Sequence, residues 1–495
     1  MASSTTYGDW MRRIPGGLRN IGMPLTFAGF GVALLSVFVL TASPVAGVAI
    51  AVVGFGVIAV LAVRDRQHRN VVDRVSERVS FRRQARTGRG LYRGGFLGFT
   101  DEGSAALPGV LSKVGLVEAV DGLGNPFCLV RHGRTGEYAL LLRCHPQGAG
   151  LADDDVEDAY VASWARLMES LAVEQGVTQM SVTVDTSPDS GIRFRRVLGE
   201  HLVEDAPELA SRAMAQIMML YATGGARNDV TVTLTFKYLD ARGRYLDAEE
   251  AARRISLMLP DIESKLAAAG GGDARPLDAD QVARMVRACY DPDAQEVIES
   301  SSEPPYVAWE DAGPVAAVAD WDWYRHDSGV SRTWEMCDPP RSNVTSSTLS
   351  RLLEPLPDCD RKRVTIVFHM LSPDRTTYLA EQNRTRAAAQ VGQEKRATMG
   401  SVTQVGKADR QAVEINKGAV MVFFGLLVTV TVRAGVDEAV RLEAACRAVE
   451  SAAGASKIDL RPCYGAQDTG FAASLPLGVN LQTYAPPSLM GSLLR

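Results

Sequence analysis

The chain has 495 residues, of which 46% are hydrophobic, and carries a net charge of −5 at neutral pH. That charge is uneven: residues 1–100 hold 13 Arg, no Lys and 4 acids, a balance of +9, so the remainder carries −14. An acidic body argues against a nucleic-acid-binding surface, and seven scattered cysteines argue against a disulfide framework and for reduced, cytosolic thiols.

Residues 1–22 form a polar leader containing Pro15-Gly16-Gly17. Leu25–Ala42 is almost wholly apolar, and Val45–Val63 is apolar and uncharged, with only the turn dipeptide Ser43-Pro44 between them. Each run approaches the ~20 residues a helix needs to cross a bilayer. Backbone in lipid must satisfy its own hydrogen bonds, so residues 23–63 are predicted to form a transmembrane α-hairpin. Arg12, Arg13 and Arg19 precede it, a run of arginines beginning at Arg64 follows it, and the turn is uncharged. The bias predicts both ends, and the whole body, in the cytoplasm. Glycines 29, 31, 47, 54 and 56 suit close approach of the two helices. A cleaved signal peptide is the rival reading of the first span, and the second span that follows at once speaks against it.

Residues 64–107 read as a basic juxtamembrane helix and a glycine-rich neck. Arg64, Arg66, Arg69 and Arg74 make a collar suited to anionic lipid, although topology determination alone explains it equally well. Val71, Val75 and Val79 give the helix an apolar stripe, and Tyr92, Phe96 and Phe99 interleave the glycines of the neck.

The soluble body is expected to be α/β (α+β) with mixed sheets, divided into a first domain at 108–340 and a second at 341–478, with a tail at 479–495. In the first, Phe127–Arg131 and Glu137–Cys144 read as a hairpin, and Asp153–Asp155 caps a helix running to Glu174. Val177–Val184 and Thr231–Lys237 read as strands, the latter with Val232, Leu234 and Phe236 on one face and threonines on the other. Helices are predicted at 207–222, 247–269 and 278–288. A hairpin around Asp327-Ser328-Gly329 follows, and its Trp321, Trp323 and Trp334 are candidates for a partner interface or for ordinary core. In the second, Arg363–Met370 is a strand, Pro373–Lys417 a long charged helical stretch, Ala419–Val432 a buried strand and Val436–Ala453 a helix before the strand Ile458–Pro462.

No motif supplies convincing chemistry. Gly400–Ala408 imitates a P-loop but has one residue too many between its glycines and alanine where a hydroxyl must reach magnesium. The six histidines form no HExxH pattern and no Cys-x-x-Cys exists, which argues against a metal site. No catalytic, cofactor-binding or metal residue is assigned, no cofactor is expected, and the chain reads as no enzyme.

Two parts of the sequence carry a resemblance. Ile14-Pro15 followed by the apolar hairpin resembles the PrgI-like small membrane proteins of type IV secretion. The body resembles the N-terminal, non-ATPase region of the secretion ATPase of those systems, through its strand hairpins, the Trp321–Met336 hairpin leading to Pro339-Pro340, and the closing Phe471-Ala472-Ala473-Ser474-Leu475-Pro476-Leu477-Gly478. The whole layout is similar to actinobacterial two-span membrane proteins encoded with conjugation or secretion genes. The resemblance implies a non-catalytic scaffold in the cell membrane. Its expected partners are a separate secretion ATPase, other membrane subunits of the apparatus and anionic lipid, in a hetero-oligomer. Trp321, Trp323, Trp334, Leu475 and Pro476 are the candidate interface residues. The E component of type VII secretion resembles the layout too, and a membrane-anchored enzyme with an unrecognised pocket is the remaining alternative.

Overall fold

The computed structural model describes residues 23–484 apart from 64–68, 70, 95–106, 147, 149–152, 190, 192–197, 201–205, 222–224, 301–304, 341–343, 357, 394–398 and 417. The leader, Arg64, Arg66, most of the neck and the end of the tail therefore lie outside the described residues.

Helices α1 (Met23–Ala42) and α2 (Pro44–Ala62) fold back on one another and lead to α3 (Val71–Arg86). The turn between α1 and α2 is built from the dipeptide in the sequence. Ser43 is extended and its hydroxyl accepts from the Ala46 amide, while Pro44 takes the first turn of α2, where a missing N–H costs nothing. Two glycines set the spacing. A Cβ on Gly47 would stand 2.8 Å from the Leu40 backbone, and one on Gly54 2.4 Å from Val32. Among the described residues, α2 is long and apolar enough to cross a membrane, and the described apolar stretch of α1, Thr26–Ala42, is shorter.

The body follows in the order β1 (Leu91–Arg93), β2 (Val114–Val120), β3 (Pro126–His132), β4 (Glu137–His145), α4 (Asp154–Val173), β5 (Val177–Pro188), α5 (Glu208–Tyr221), β6 (Ala226–Phe236), α6 (Ala248–Leu266), β7 (Asp273–Pro276), α7 (Ala279–Tyr290) and α8 (Pro292–Ser300). Then come β8 (Ala316–Ala319), β9 (Tyr324–His326), β10 (Gly329–Asp338), α9 (Ser350–Leu353), β11 (Arg361–Met370), α10 (Pro373–Gln393), α11 (Met399–Asn416), β12 (Val422–Arg433), α12 (Glu438–Ala455), β13 (Asp459–Pro462), α13 (Gln467–Ser474) and α14 (Leu481–Tyr484).

Among the described residues thirteen strands belong to one sheet, ordered β1-β8-β9-β10-β12-β11-β5-β6-β4-β3-β2, with β13 beside β10 and β7 beside β4. The named strands pair antiparallel throughout, in place of the mixed sheets expected. The ranges 108–340 and 341–478 share this sheet: β5 and β11 pair from Lys362↔Thr186 to Phe368↔Met180 at its centre. Strand pairing between residues far apart in the chain leaves no local trace, which is why composition breaks suggested two units.

Helices cover both faces. On one face Leu140, Leu142, Val232, Leu234 and Phe236 meet Leu167 and Leu171 of α4 and Ile255 and Leu259 of α6. Farther along the same face Trp334, Val364, Val428 and Val430 meet Leu442, Ala445 and Val449 of α12. On the opposite face Val130, Ala139 and Leu141 pack against Val282 and Val286 of α7 and against Phe471, Leu475 and Leu477. Trp334, Leu475 and Pro476 are thus buried inside this chain, a correction to their reading as partner interface. Trp334 is buried because helices cover both faces of the sheet, so alternation along β10 leaves no outer face, whereas Leu475 and Pro476 belong to an irregular segment that lies against the opposite face.

The strands also define two ends. β11 starts and β12 finishes at one of them, where β5 leaves toward α5 at Pro188. At the other end β11 passes into α10, which packs along α11 and returns to β12. The P-loop look-alike Gly400–Ala408 is part of helix α11.

Candidate functional site

The residues that bear on function lie in three places: beneath a strap over the sheet, in a buried polar row, and at the joint between α3 and the body.

The strap is residues 467–484. It crosses the strands, and the threonines that the sequence places on one side of β6 receive it. Thr233 donates to the Pro476 carbonyl (2.9 Å) and Thr235 to that of Gly478 (3.1 Å). Thr365 of β11 donates to the Ser474 carbonyl (2.7 Å), Gln179 of β5 to Val479 (3.3 Å), and the Gln467 amide group bonds both backbone groups of Thr333. At the far side Asn480 donates to the buried Glu137 carboxylate at 3.0 Å. Thr233 and Thr235 are consequently buried, where alternation alone would put them in water. The irregular backbone of the strap needs these partners, because a buried carbonyl without one is costly.

Gly478 shows how closely the strap lies. Its φ is +71°, and a Cβ there would stand 2.5 Å from Ala139 Cβ and 2.7 Å from Thr235 Oγ1. Left-handed backbone and overpacking each cost on the order of 1–3 kcal/mol. We expect Gly478→Ala to destabilise the full chain by about 2–5 kcal/mol, read from urea unfolding in detergent.

Below the strap runs a continuous polar row. Asp185 of β5 receives Arg361 Nε at 2.8 Å and 3.0 Å and lies 3.9 Å from Arg363 Nη1. Burial pushes the Asp185 carboxyl up, but the two guanidiniums outweigh it and hold it below the ordinary range. Arg361 also donates to the Ala288 carbonyl, and the Arg363 guanidinium lies over the Phe471 ring at 4.9 Å. Nearby, His326 Nε2 sits 2.7 Å from Ser331 Oγ, which is itself 2.7 Å from Thr431 Oγ1, and His326 Nδ1 is 2.6 Å from the Tyr290 carbonyl. Burial lowers the His326 pKa to about 4, so the ring is neutral. A carbonyl only accepts, so Nδ1 carries the proton and Nε2 accepts from Ser331. This has the outline of a nucleophile and base. Yet Ser331 and His326 are fully buried under the strap side of the sheet, so no substrate reaches the hydroxyl in this arrangement.

His132 repeats the pattern. Its Nε2 lies 2.8 Å from the Leu477 carbonyl, and burial lowers its pKa to about 4. Lys362 is also buried, on the other face, where its ammonium donates to the Leu352 carbonyl at 2.7 Å and to that of Glu354, closing the end of α9. Burial lowers its pKa to about 8. An open groove of about 440 Å³ beside α8 is bordered by Asp291, Asp293, Val297 and Tyr306. Its Arg287 is held by Asp291 (2.6 Å) and Asp327 (2.9 Å). Among the described residues no three His, Cys, Asp or Glu side chains are grouped to hold a metal ion.

The joint is a clasp of rings and charges. Trp321 stacks on Tyr464 (5.6 Å between centroids) and meets the edge of Phe81 from α3 at 5.4 Å. Beside the rings Arg461, nearly buried, bonds Glu77 of α3 at 2.6 Å and Glu335 of β10 at 3.0 Å. Arg69 joins the same carboxylates, 2.9 Å from Glu77 and 3.4 Å from Glu335. Within the expected lipid collar, Arg69 therefore faces the body, and Arg74 is an exposed residue of α3 that also has a partner. Trp321 and Trp323 are half-buried, Trp321 in the clasp and Trp323 beside the α12 core. Sequence reasoning missed Glu77, Phe81, Arg461 and Tyr464. The one available signal was the aromatic and acidic content of an otherwise basic helix.

Residues 16–73 match a family model described as a domain of unknown function, DUF8461. That match covers α1, α2 and the approach to α3. No curated protein matches the chain.

Proposed function

We propose that this chain is a membrane-anchored scaffold subunit of a bacterial type IV-like secretion or conjugation apparatus. In this reading α1 and α2 both span the cytoplasmic membrane, both termini and the body lie in the cytoplasm, and the body docks a separate ATPase or channel subunits.

The observation that carries the anchor is the surface of the hairpin. Phe27, Leu34, Phe38, Val45 and Val52 all point away from protein, each more than half exposed, around two helices that touch along glycines. Exposed apolar side chains on every side of a helix pair belong in lipid. The clasp supports the scaffold reading, since it couples the anchor to a large body through specific contacts instead of a loose tether. The chemistry-bearing side chains of the polar row are engaged in holding the strap and the sheet, which fits a docking block.

Two measurements test this. Protease added to intact spheroplasts is expected to leave the body uncut, and protease added to inverted vesicles is expected to digest it. Affinity purification from detergent-solubilised membranes is expected to recover a secretion ATPase or channel subunit. Cleavage from outside, or repeated purification without any such subunit, would overturn the reading.

A further inference from the structure

The strap crosses the sheet in one direction. It starts over Thr333 of β10, passes β11 at Ser474 and β6 at Pro476 and Gly478, and reaches Glu137 of β4 through Asn480. That is the order of the strands toward β2, the last strand of the sheet. Tyr484 then donates its hydroxyl to the Val110 carbonyl at 3.2 Å, four residues before β2 begins, and borders the same core as Leu116 of β2. Residues 485–495, outside the described residues, therefore continue from the Val114 end of β2.

β2 has an open outer edge. Gly133 N–H donates to the Lys113 carbonyl and Asp121 N–H to that of Asn125, so the odd-numbered residues turn their backbone groups toward β3. Leu116, Glu118 and Val120 turn theirs away from it. Trp309 Nε1 takes the outward carbonyl of Val114. Among the described residues no hydrogen bond reaches the outward backbone groups of Leu116, Glu118 or Val120. Proteins blunt such an edge with proline, a bulge, lysine or brevity. The opposite edge strand, β1, is three residues long, whereas β2 has seven residues, one charge and neither proline nor bulge.

The tail matches this edge in reach, in its two faces and in charge. Residues 488–494 span about 23 Å when extended, the length of β2. Helices cover both faces of the sheet here, so β2 is apolar on both: Leu116 borders the core under α7, and Val117 and Ala119 the core under α6. The tail is apolar on both as well, with Leu489 and Leu493 at one parity and Met490 and Leu494 at the other. Pro486 and Pro487, which lack the N–H a ladder needs, fall in the connection past Trp309. Arg495, the one charged side chain of the tail, arrives at the acidic end of β2, where Asp121 and Glu263 lie close together. A second copy pairing through β2 is the rival occupant. It competes with a segment tethered by residues 485–487, whose effective concentration is on the order of millimolar.

We propose that residues 488–494 add to the sheet as a further strand, parallel to β2 along its Leu116–Val120 edge, and close that edge. Main-chain hydrogen bonds hold the strand and the two apolar faces seat it.

The test is amide exchange, read by mass spectrometry, on the detergent-solubilised full chain and on a chain ending at Ala485. We expect the amides of Leu116, Glu118 and Val120 to exchange at least tenfold more slowly in the full chain, with exchange in β6 and β11 unchanged. Equal exchange in β2 would overturn the proposal. A photo-crosslinking amino acid at Glu118 of the full chain decides the matter even if the shortened chain fails to fold. We expect it to trap residues 488–495 of its own chain, at a yield independent of protein concentration. Crosslinks to residues 95–106, to a second copy or to another protein, or none to the tail, would overturn it. Neither measurement bears on what the body docks, so the scaffold reading stands or falls separately.

Discussion

Acidifying the purified full chain from pH 6.5 to pH 4 is expected to remove most of its stability. His132 and His326 are buried and neutral, and burial lowers each pKa from 6.5 to about 4. In the unfolded chain each imidazole returns to about 6.5. Between those values the unfolded chain binds more protons than the folded one, so stability is complete above pH 6.5 and falls as pH drops through the window. At 1.36 kcal/mol per pH unit each ring accounts for about 3 kcal/mol. Together they approach a domain's whole margin of roughly 5–15 kcal/mol. Urea midpoints in detergent at half-unit steps of pH measure this. A flat profile between 6.5 and 4.5 would show that the rings are protonated in the folded chain. Asp185 acts in a lower window. Its carboxyl is held below the ordinary range, so its contribution is lost only as pH falls beneath the usual carboxylate value.

Asp185→Ala is expected to cost about 3–5 kcal/mol at neutral pH, with a fall in melting temperature on the order of 10 °C. The substitution leaves Arg361, almost fully buried, without its carboxylate, and brings Arg363 no compensating partner. An unpaired buried charge is the costly outcome, and a pair removed together is not. Asp185→Leu combined with Arg361→Met is therefore expected to recover a large part of the loss. If the double variant is as unstable as the sum of the single ones, the pair acts through its hydrogen bonds to the Ala288 carbonyl and Gln295, and not through its charges.

Strands were the most legible part of the sequence. The alternation of Thr231–Lys237 places Val232, Leu234 and Phe236 on one face, where they are found in the core beside α4 and α6. Ala419–Val432, apolar enough to raise the question of a further span, is strand β12 from Val422, as its Val/Thr alternation indicated. The meaning of the threonine face was not legible. Threonines opposite a core read as solvated, and only the strap, more than 200 residues later, turns them into buried donors. Leu475-Pro476-Leu477-Gly478 itself has no periodicity, so it read as a surface. The clasp was hidden for a similar reason, since Glu77 and Arg461 are 384 positions apart.

The strap also sets a timetable. At roughly 5–20 residues per second, α1 and α2 leave the ribosome well before residues 467–484 are made. Until those residues arrive, Thr233, Thr235 and Thr365 face an open trough, and Arg363 lacks the Phe471 ring above it. That side of the sheet is therefore completed last, by residues far along the chain from the strands they cover. A chain cut short before Gln467 is expected to lack those contacts and to unfold at a lower urea concentration than the full chain.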